Sequence, residues 1–275
     1  GDKMNFTVEK EQELLEFLLE KIKNKSKNTI KSLLSHEMVL VNKKVITKYN
    51  YLLKKNYTVE IIKKINDIDI IYEDNNIIVV NKPSGLLSIS TEKETEKTLY
   101  KYISDYVKKS NKNAKIFVVH RLDKDTSGIV IFSKNQDFKN KLQQNWNDEV
   151  IRNYYAVVEG ILEKKSGTIK SYLKENSFHK TYSSNKGELA ITNYEVIKTN
   201  DLYSLLKVNI KTGKKNQIRV HLSDINHPIV GDKKYGSKIR AKRLMLCAYN
   251  VEFKNNSKYK FEIPYPEEFK KYIKA

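Results

Sequence analysis

The sequence predicts an α+β fold: a large domain built on a mixed, largely antiparallel β-sheet with flanking helices, preceded by a small N-terminal α/β domain. Two observations lead there. From Ile70 onward, short apolar runs rich in branched residues outnumber helical segments too strongly for regular βαβ alternation. Ahead of them, helical periodicity gives way to short alternating runs within the first 62 residues, enough chain for a small core of its own. The expected limits are 1–62 for the small domain, 63–70 for a linker and 71–275 for the large one.

Along the chain, Gly1 to Lys3 precede Met4 and are expected to be non-native. Glu11 to Lys23 carries Leu14, Leu18 and Ile22 at helical spacing, with Leu15 and Leu19 widening the stripe into a core face. Ile30, Leu33 and Leu34 behind Asn28, a candidate N-cap, predict a second helix. Met38 to Val41, a polar turn at Asn42 to Lys44, and alternation ending in Tyr57, Val59 and Ile61 predict short strands. In the large domain the strand-like runs are Ile77 to Val80, Ile116 to Val119, Gly128 to Phe132, Tyr155 to Val158, Leu205 to Ile210 and Ile218 to Leu222. Thr98 to Lys109 and Phe138 to Trp146 are the helical segments between them, and no internal repeat is present.

Composition narrows the function classes. No apolar run approaches the roughly 18 residues that cross a bilayer. A single Cys247 allows no internal disulfide and no cysteine-rich zinc site, so a reducing, cytoplasmic setting is expected. Fifty-two Lys and Arg against 33 Asp and Glu give a net charge of +19, a field suited to a polyanion such as nucleic acid. Lysine enrichment across the whole chain supplies part of that charge without any binding role. Between Lys21 and Lys55, however, ten lysines face one acid, Glu37. Arginine is informative because it is scarce: five occur, at 121, 152, 219, 240 and 243. Where lysine fills nearly every cationic position, a retained guanidinium marks a place that needs its planar fork.

The stretch VVHRLDKDTSGIVIFS, Val118 to Ser133, places a polar loop, His120 to Gly128, between two apolar strand runs, so Asp123 is presented on a loop held by a rigid scaffold. The plain alternative is a tight turn in which Asp125, Thr126 and Ser127 satisfy backbone groups, and Asp125 is assigned that role. HRLDKDTSG resembles the active-site motif of the RluA/RluD-type pseudouridine synthases at every characteristic position, and the resemblance extends over nearly all of residues 70–275. It implies that Asp123 is the nucleophile. TGKKNQIRVHL, Thr212 to Leu222, resembles the family's TGRTHQIRVH motif, which implies that Arg219, on a strand-like segment, pairs with the catalytic carboxylate. Lys214, Lys215 and Asn216 depart from that pattern and put substrate contacts along the loop in doubt. RNYYAVVEG, Arg152 to Gly160, resembles KxYxAxVxG and singles out Tyr154, not Tyr155, as the ring that stacks on a flipped uracil, its hydroxyl available to relay the ring-carbon proton.

NKPSGLL at 81–87, HPIVGDKKYG at 227–236 and RLMLCA at 243–248 also match the family and are assigned to packing and loop shape, with Lys82 facing phosphate and Arg121 available to insert where the base leaves the stack. The first 62 residues, centred on SKNTIKSLLSHEMVLVNKKVI, resemble the S-four RNA-binding domain without its usual Arg and Gly, which implies RNA contacts at Lys31, Lys43 and Lys44, to be joined by Lys214.

The chemistry implied is consistent with these residues. Isomerising uridine breaks the bond from uracil to the anomeric carbon, rotates the held base and bonds a ring carbon to the sugar, with no redox change, metal or cofactor. One carboxylate beside the sugar suffices. Sugar ester and glycal routes both remain open. The expected partner is RNA, ribosomal RNA before transfer RNA, and the expected state a monomer. Two other readings compete: a noncatalytic RNA-binding protein on this fold, and a metal-dependent hydrolase using His120, Asp123, His221, His227 and Asp232, for which no recognised ligand spacing is present.

Overall fold

The computed structural model describes residues 4–23, 25–35, 37–65 and 68–274, and the chain divides into two compact units, 1–75 and 76–275. Gly1 to Lys3, expected to be non-native, lie outside the described residues.

The first unit contains β1 (Met4–Thr7), β2 (Gln12–Glu13), α1 (Leu14–Lys21), α2 (Lys27–Ser35), β3 (Val39–Val41), β4 (Lys44–Val45), β5 (Leu52–Leu53), β6 (Thr58–Ile61), β7 (Lys63–Ile65) and β8 (Ile68–Glu73). An antiparallel sheet in the order β1-β6-β3-β4 shares a core with the two helices through Leu14, Leu18, Ile30, Leu34, Val39 and Val59. Asn42 and Lys43 both take positive φ (49° and 66°), so a two-residue turn joins β3 to β4 and leaves Lys43 and Lys44 exposed. Two expectations change here. The second helix starts one residue before Asn28, and Ser26 Oγ accepts the Thr29 N–H at 3.2 Å, so Ser26 supplies the cap. The expected linker at 63–70 is instead an antiparallel β7–β8 pairing, with Lys63 opposite Ile70; its residues 66 and 67 lie outside the described residues.

The second unit contains β9 (Ile77–Lys82), α3 (Leu99–Ser110), β10 (Phe117–Val118), β11 (Ser127–Ser133), α4 (Gln136–Gln144), α5 (Trp146–Glu149), β12 (Ile151–Glu159), β13 (Ser166–Glu175), β14 (Thr181–Ser184), β15 (Glu188–Thr199), β16 (Tyr203–Ile210), α6 (Gln217–Asp224), β17 (Leu246–Asn255), β18 (Ser257–Glu262) and α7 (Lys270–Ile273). Its strands run in the order β14-β13-β15-β16-β12-β17-β11-β9, with β10 beside β11 and β18 beside β17. Among the described residues, each strand pairing in this unit is antiparallel except β11 with β17, so the sheet is mixed and largely antiparallel. All seven residues of β11 are buried, which explains its unbroken apolar run: a strand covered on both faces has no polar side to alternate with. Gly128, the second residue of that strand, takes φ +120°, where a Cβ would run into the Ala248 carbonyl, so only glycine lets β11 close on β17 directly after the polar loop. Thr98 Oγ1 accepts the Lys101 N–H at 3.1 Å and starts α3.

Ile218 to Leu222, read as a strand from its apolar run, is the interior of helix α6. Every residue from Gln217 to Leu222 is buried, so the polar face that would reveal a helical period is missing. Asn216, in the left-handed region at φ 55°, precedes the helix.

Candidate active site

The polar loop at His120–Thr126 is pinned along its length. His120 Nε2 accepts the Ile131 N–H at 3.0 Å, which fixes the tautomer with the proton on Nδ1, and its ring stacks on Trp146 with centroids 4.8 Å apart. Burial, with the Arg152 charge adding, pulls the His120 imidazole down to about 3, so it stays neutral. Ser88 Oγ accepts the Leu122 N–H at 3.1 Å and donates to the Leu122 carbonyl at 2.6 Å. Gly85 N–H donates to the Lys124 carbonyl at 2.8 Å and Ser84 Oγ to the Asp125 carbonyl at 2.6 Å, while Thr126 N–H closes the turn onto the Asp123 carbonyl at 3.1 Å. The backbone on both sides of Asp123 is therefore tied to the 84–88 segment, and its side chain stands half-buried between two cavities.

The first cavity, about 350 Å³, is lined by Arg121, Asp123, Trp146, Arg152, Tyr154 and Arg219 among others. The second, about 830 Å³, has a cationic wall that includes Lys124, Lys215, Lys233, Lys234, Lys242 and Arg243. Asp123, Asn216 and Arg219 line both. Tyr154 comes from β12, and burial pushes its hydroxyl up to about 12, with Arg152 opposing and Asp123 reinforcing the shift; it remains a neutral phenol. Tyr155 instead stacks on Tyr249 at 3.8 Å and forms no wall of either cavity.

Arg219 reaches the site from α6, not from a strand. Its Nε and Nη2 fork onto both oxygens of Asp232 at 2.7 Å each, its Nη1 donates to Asn216 Oδ1 at 3.1 Å, and its guanidinium lies over the Tyr235 ring at 5.1 Å. Burial works against the charge and the Asp232 fork more than offsets it, with Asp123 adding a smaller attraction. The hydrogen-bonded partner of Arg219 is thus Asp232, while Asp123 is an electrostatic neighbour across the cavity wall. Asp232, from the segment assigned to loop shape, is the residue that the sequence reading missed for this role: one acid in GDKKYG looks like a turn former, and only the fold brings it to Arg219.

Lys82 does not face phosphate. It is fully buried, and its ammonium donates to the carbonyls of Leu86, Lys124 and Pro83 at 2.7, 2.9 and 3.0 Å, so it ties the 83–86 turn to the residue after Asp123. Burial pulls it from 10.5 down to about 7, with Asp125 and Asp123 opposing and Arg243 assisting. Between pH 7 and 10.5 the unfolded chain therefore holds one proton more than the folded chain, and stability rises with pH in that window. Relative to Lys82→Met, the wild type should gain about 1.4 kcal/mol per pH unit between pH 7 and 9. Urea unfolding followed by Trp146, the only tryptophan, checks this; a difference flat with pH would contradict it.

Lys214 lines the first cavity but pairs with Glu188 at 2.7 Å, and Arg121 lines it exposed to solvent. In the first unit, Lys31 lies over the Tyr49 ring at 5.0 Å. The proposed metal ligands are dispersed: His221 bonds Thr192 and Ser171, His227 bonds the Glu159 carbonyl, and Asp232 holds Arg219. Among the described residues, no group of three or more His, Cys, Asp or Glu converges on one point.

A half-buried carboxylate on a fixed loop, lining both a cleft that holds an aromatic ring and a lysine-rich groove, fits one class: an RNA-modifying enzyme that works on one nucleoside at a time. A profile of the RNA pseudouridylate synthase family matches residues 76–224. An uncharacterized RNA pseudouridine synthase of Mycoplasma pneumoniae is 35% identical over 85% of this chain and 80% of its own. Ribosomal large subunit pseudouridine synthase D of Borreliella burgdorferi is 37% identical over 74% of this chain and 66% of its own. Among solved structures, human RNA pseudouridylate synthase domain containing 4 shares the fold with a TM-score of 0.63 at 22% identity, covering 73% of this chain and 89% of that one. The chain belongs to the RNA pseudouridylate synthase family, and its activity is isomerisation of uridine in RNA.

Proposed function

We propose that the chain converts uridines of ribosomal RNA to pseudouridine with Asp123 as the nucleophile. The observation that carries this reading is the position of Asp123 on a wall common to a small cleft and a cationic groove. RNA backbone lies along the lysines of the groove, and one extruded uridine enters the cleft and stacks on Tyr154. Asp123 then meets the sugar, either bonding to the anomeric carbon or taking a sugar proton. Arg219, held by Asp232, supplies positive charge beside the carboxylate. With its hydroxyl held neutral, Tyr154 relays the ring-carbon proton through oxygen rather than as a phenolate. Arg121 fills the space that the base vacates, and Lys214 exchanges Glu188 for phosphate. No cofactor takes part. The large-subunit names of relatives in Borreliella burgdorferi and Blochmanniella floridana support the choice of ribosomal RNA.

The test is pseudouridine mapping of unmodified large-subunit ribosomal RNA and transfer RNA transcripts after incubation with the protein. A new site in ribosomal RNA alone is the expected outcome, and a site confined to transfer RNA would redirect the assignment.

The first unit acts as an RNA-binding domain through Lys31, Lys43 and Lys44, in a cytoplasmic, monomeric enzyme. Removing residues 1–75 should weaken RNA affinity by roughly tenfold or more at 150 mM salt and flatten its salt dependence, because each lost phosphate contact removes a counterion from the exchange. Filter binding across a salt series measures both, and unchanged affinity would remove the claim.

A further inference from the structure

Arg152 is a buried arginine that the mechanism above leaves unused, and its surroundings are unusual for a cation. It precedes Tyr154 by two residues on β12, and both line the cleft that holds Asp123. It is 5% exposed, yet among the described residues no carboxylate ion-pairs with it. Its Nη2 donates to Asn147 Oδ1 at 3.0 Å and, at 3.4 Å, to the Lys211 carbonyl; its Nε is buried with no partner. The guanidinium lies over the Trp146 ring at 5.8 Å, and Trp146 in turn stacks on His120 of the Asp123 loop. A buried, uncompensated cation with an idle donor is expensive to keep and points to an acceptor that arrives with the substrate.

The depth of the group decides which acceptor. Backbone phosphates run over the exposed lysines of the neighbouring groove, whereas Arg152 sits where the base must lie if it stacks on Tyr154. We propose that Arg152 is a catalytic residue that stabilises the uracil anion released when the glycosidic bond breaks, an inference that rests on the assignment of Asp123 and Tyr154 made above. When the bond from N1 to the anomeric carbon breaks, its electron pair leaves with uracil and spreads over the two carbonyl oxygens and the ring. That charge arises whether the sugar becomes an ester of Asp123 or a glycal. The Arg152 guanidinium, which lines the cleft, donates to one of those oxygens and gains most when the charge is complete, so the interaction favours the transition state over the bound uridine. The charge is discharged when the ring carbon bonds to the anomeric carbon as the ester bond to Asp123 breaks, or as the glycal takes back its proton from Asp123; the ring-carbon proton then passes to N1.

Single-turnover kinetics on a large-subunit ribosomal RNA transcript test the role. Arg152→Met should lower the rate at saturating RNA on the order of 100-fold, with RNA affinity and its salt slope unchanged. Arg152→Lys, which keeps the charge but not the fork, should fall between the two. If Arg152→Met fails to fold by circular dichroism, Arg152→Lys carries the same comparison of rate against affinity. An unchanged rate, or weaker binding with a shallower salt slope, would overturn the proposal, the latter in favour of a phosphate contact. Wild-type protein that makes no pseudouridine would overturn the underlying assignment as well, and Asp123→Asn as active as the wild type would displace the assignment of the nucleophile alone.

Discussion

Asp123→Asn is expected to eliminate pseudouridine formation, a loss of at least about 10⁴-fold in single-turnover rate, while RNA affinity stays within about twofold. The amide keeps the shape and cannot act as a nucleophile or base. The structure adds the reason why this variant is a clean test. The loop is held through backbone groups of Leu122, Lys124 and Asp125 and through the main-chain oxygen of Asp123, and among the described residues no hydrogen bond uses the Asp123 carboxylate. Loss of activity in this variant therefore reads out chemistry and not collapse of the loop. Mapping the product RNA beside an RNA-binding titration checks both halves, and near-normal turnover would remove the claim for Asp123.

The second large effect is on stability. Asp232→Ala leaves the Arg219 guanidinium buried with Asn216 as its remaining hydrogen-bond partner, and removing one member of such a pair costs about 3–5 kcal/mol. Replacing both, as Asp232→Ala with Arg219→Met, should recover a large part of that loss, because the penalty belongs to the stranded charge rather than to the missing contact. Denaturant unfolding of the two variants distinguishes the cases; equal destabilisation would mean that the pair matters through packing. Activity is expected to be low in both, and Arg219→Lys should also be strongly impaired because a point charge cannot span both oxygens of Asp232.

The sequence and the structure agree where local pattern and tertiary demand coincide. The runs at Ile77–Val80 and Gly128–Phe132 read as strands because their burial on both faces leaves no competing period, and the polar loop between the runs Ile116–Val119 and Gly128–Phe132 marks out Asp123. The same burial hid α6, since a helix with no wet face carries no amphipathic signature. Lys82 was misjudged for a different reason. A lysine in a turn motif is ordinarily at the surface, and only the convergence of three carbonyls from two separate segments makes a buried ammonium tolerable. Asp232 lay beyond a local reading because its partner is 13 residues away, on an element whose type had been misread.

The order of strands has a consequence for how the enzyme comes into being. β11, which follows the Asp123 loop, and β12, which carries Tyr154, do not pair with each other; β17 lies between them and pairs with both. That strand starts at Leu246, so it is synthesised after both of the strands that it joins. Until then a nascent polypeptide can form the β9–β11 pairing and the β12–β16 pairing, each with unsatisfied edges, but it lacks the strand that joins β11 to β12. A fragment that ends before Leu246 is expected to be inactive and to associate edge to edge, which an activity assay and light scattering on the truncated chain check.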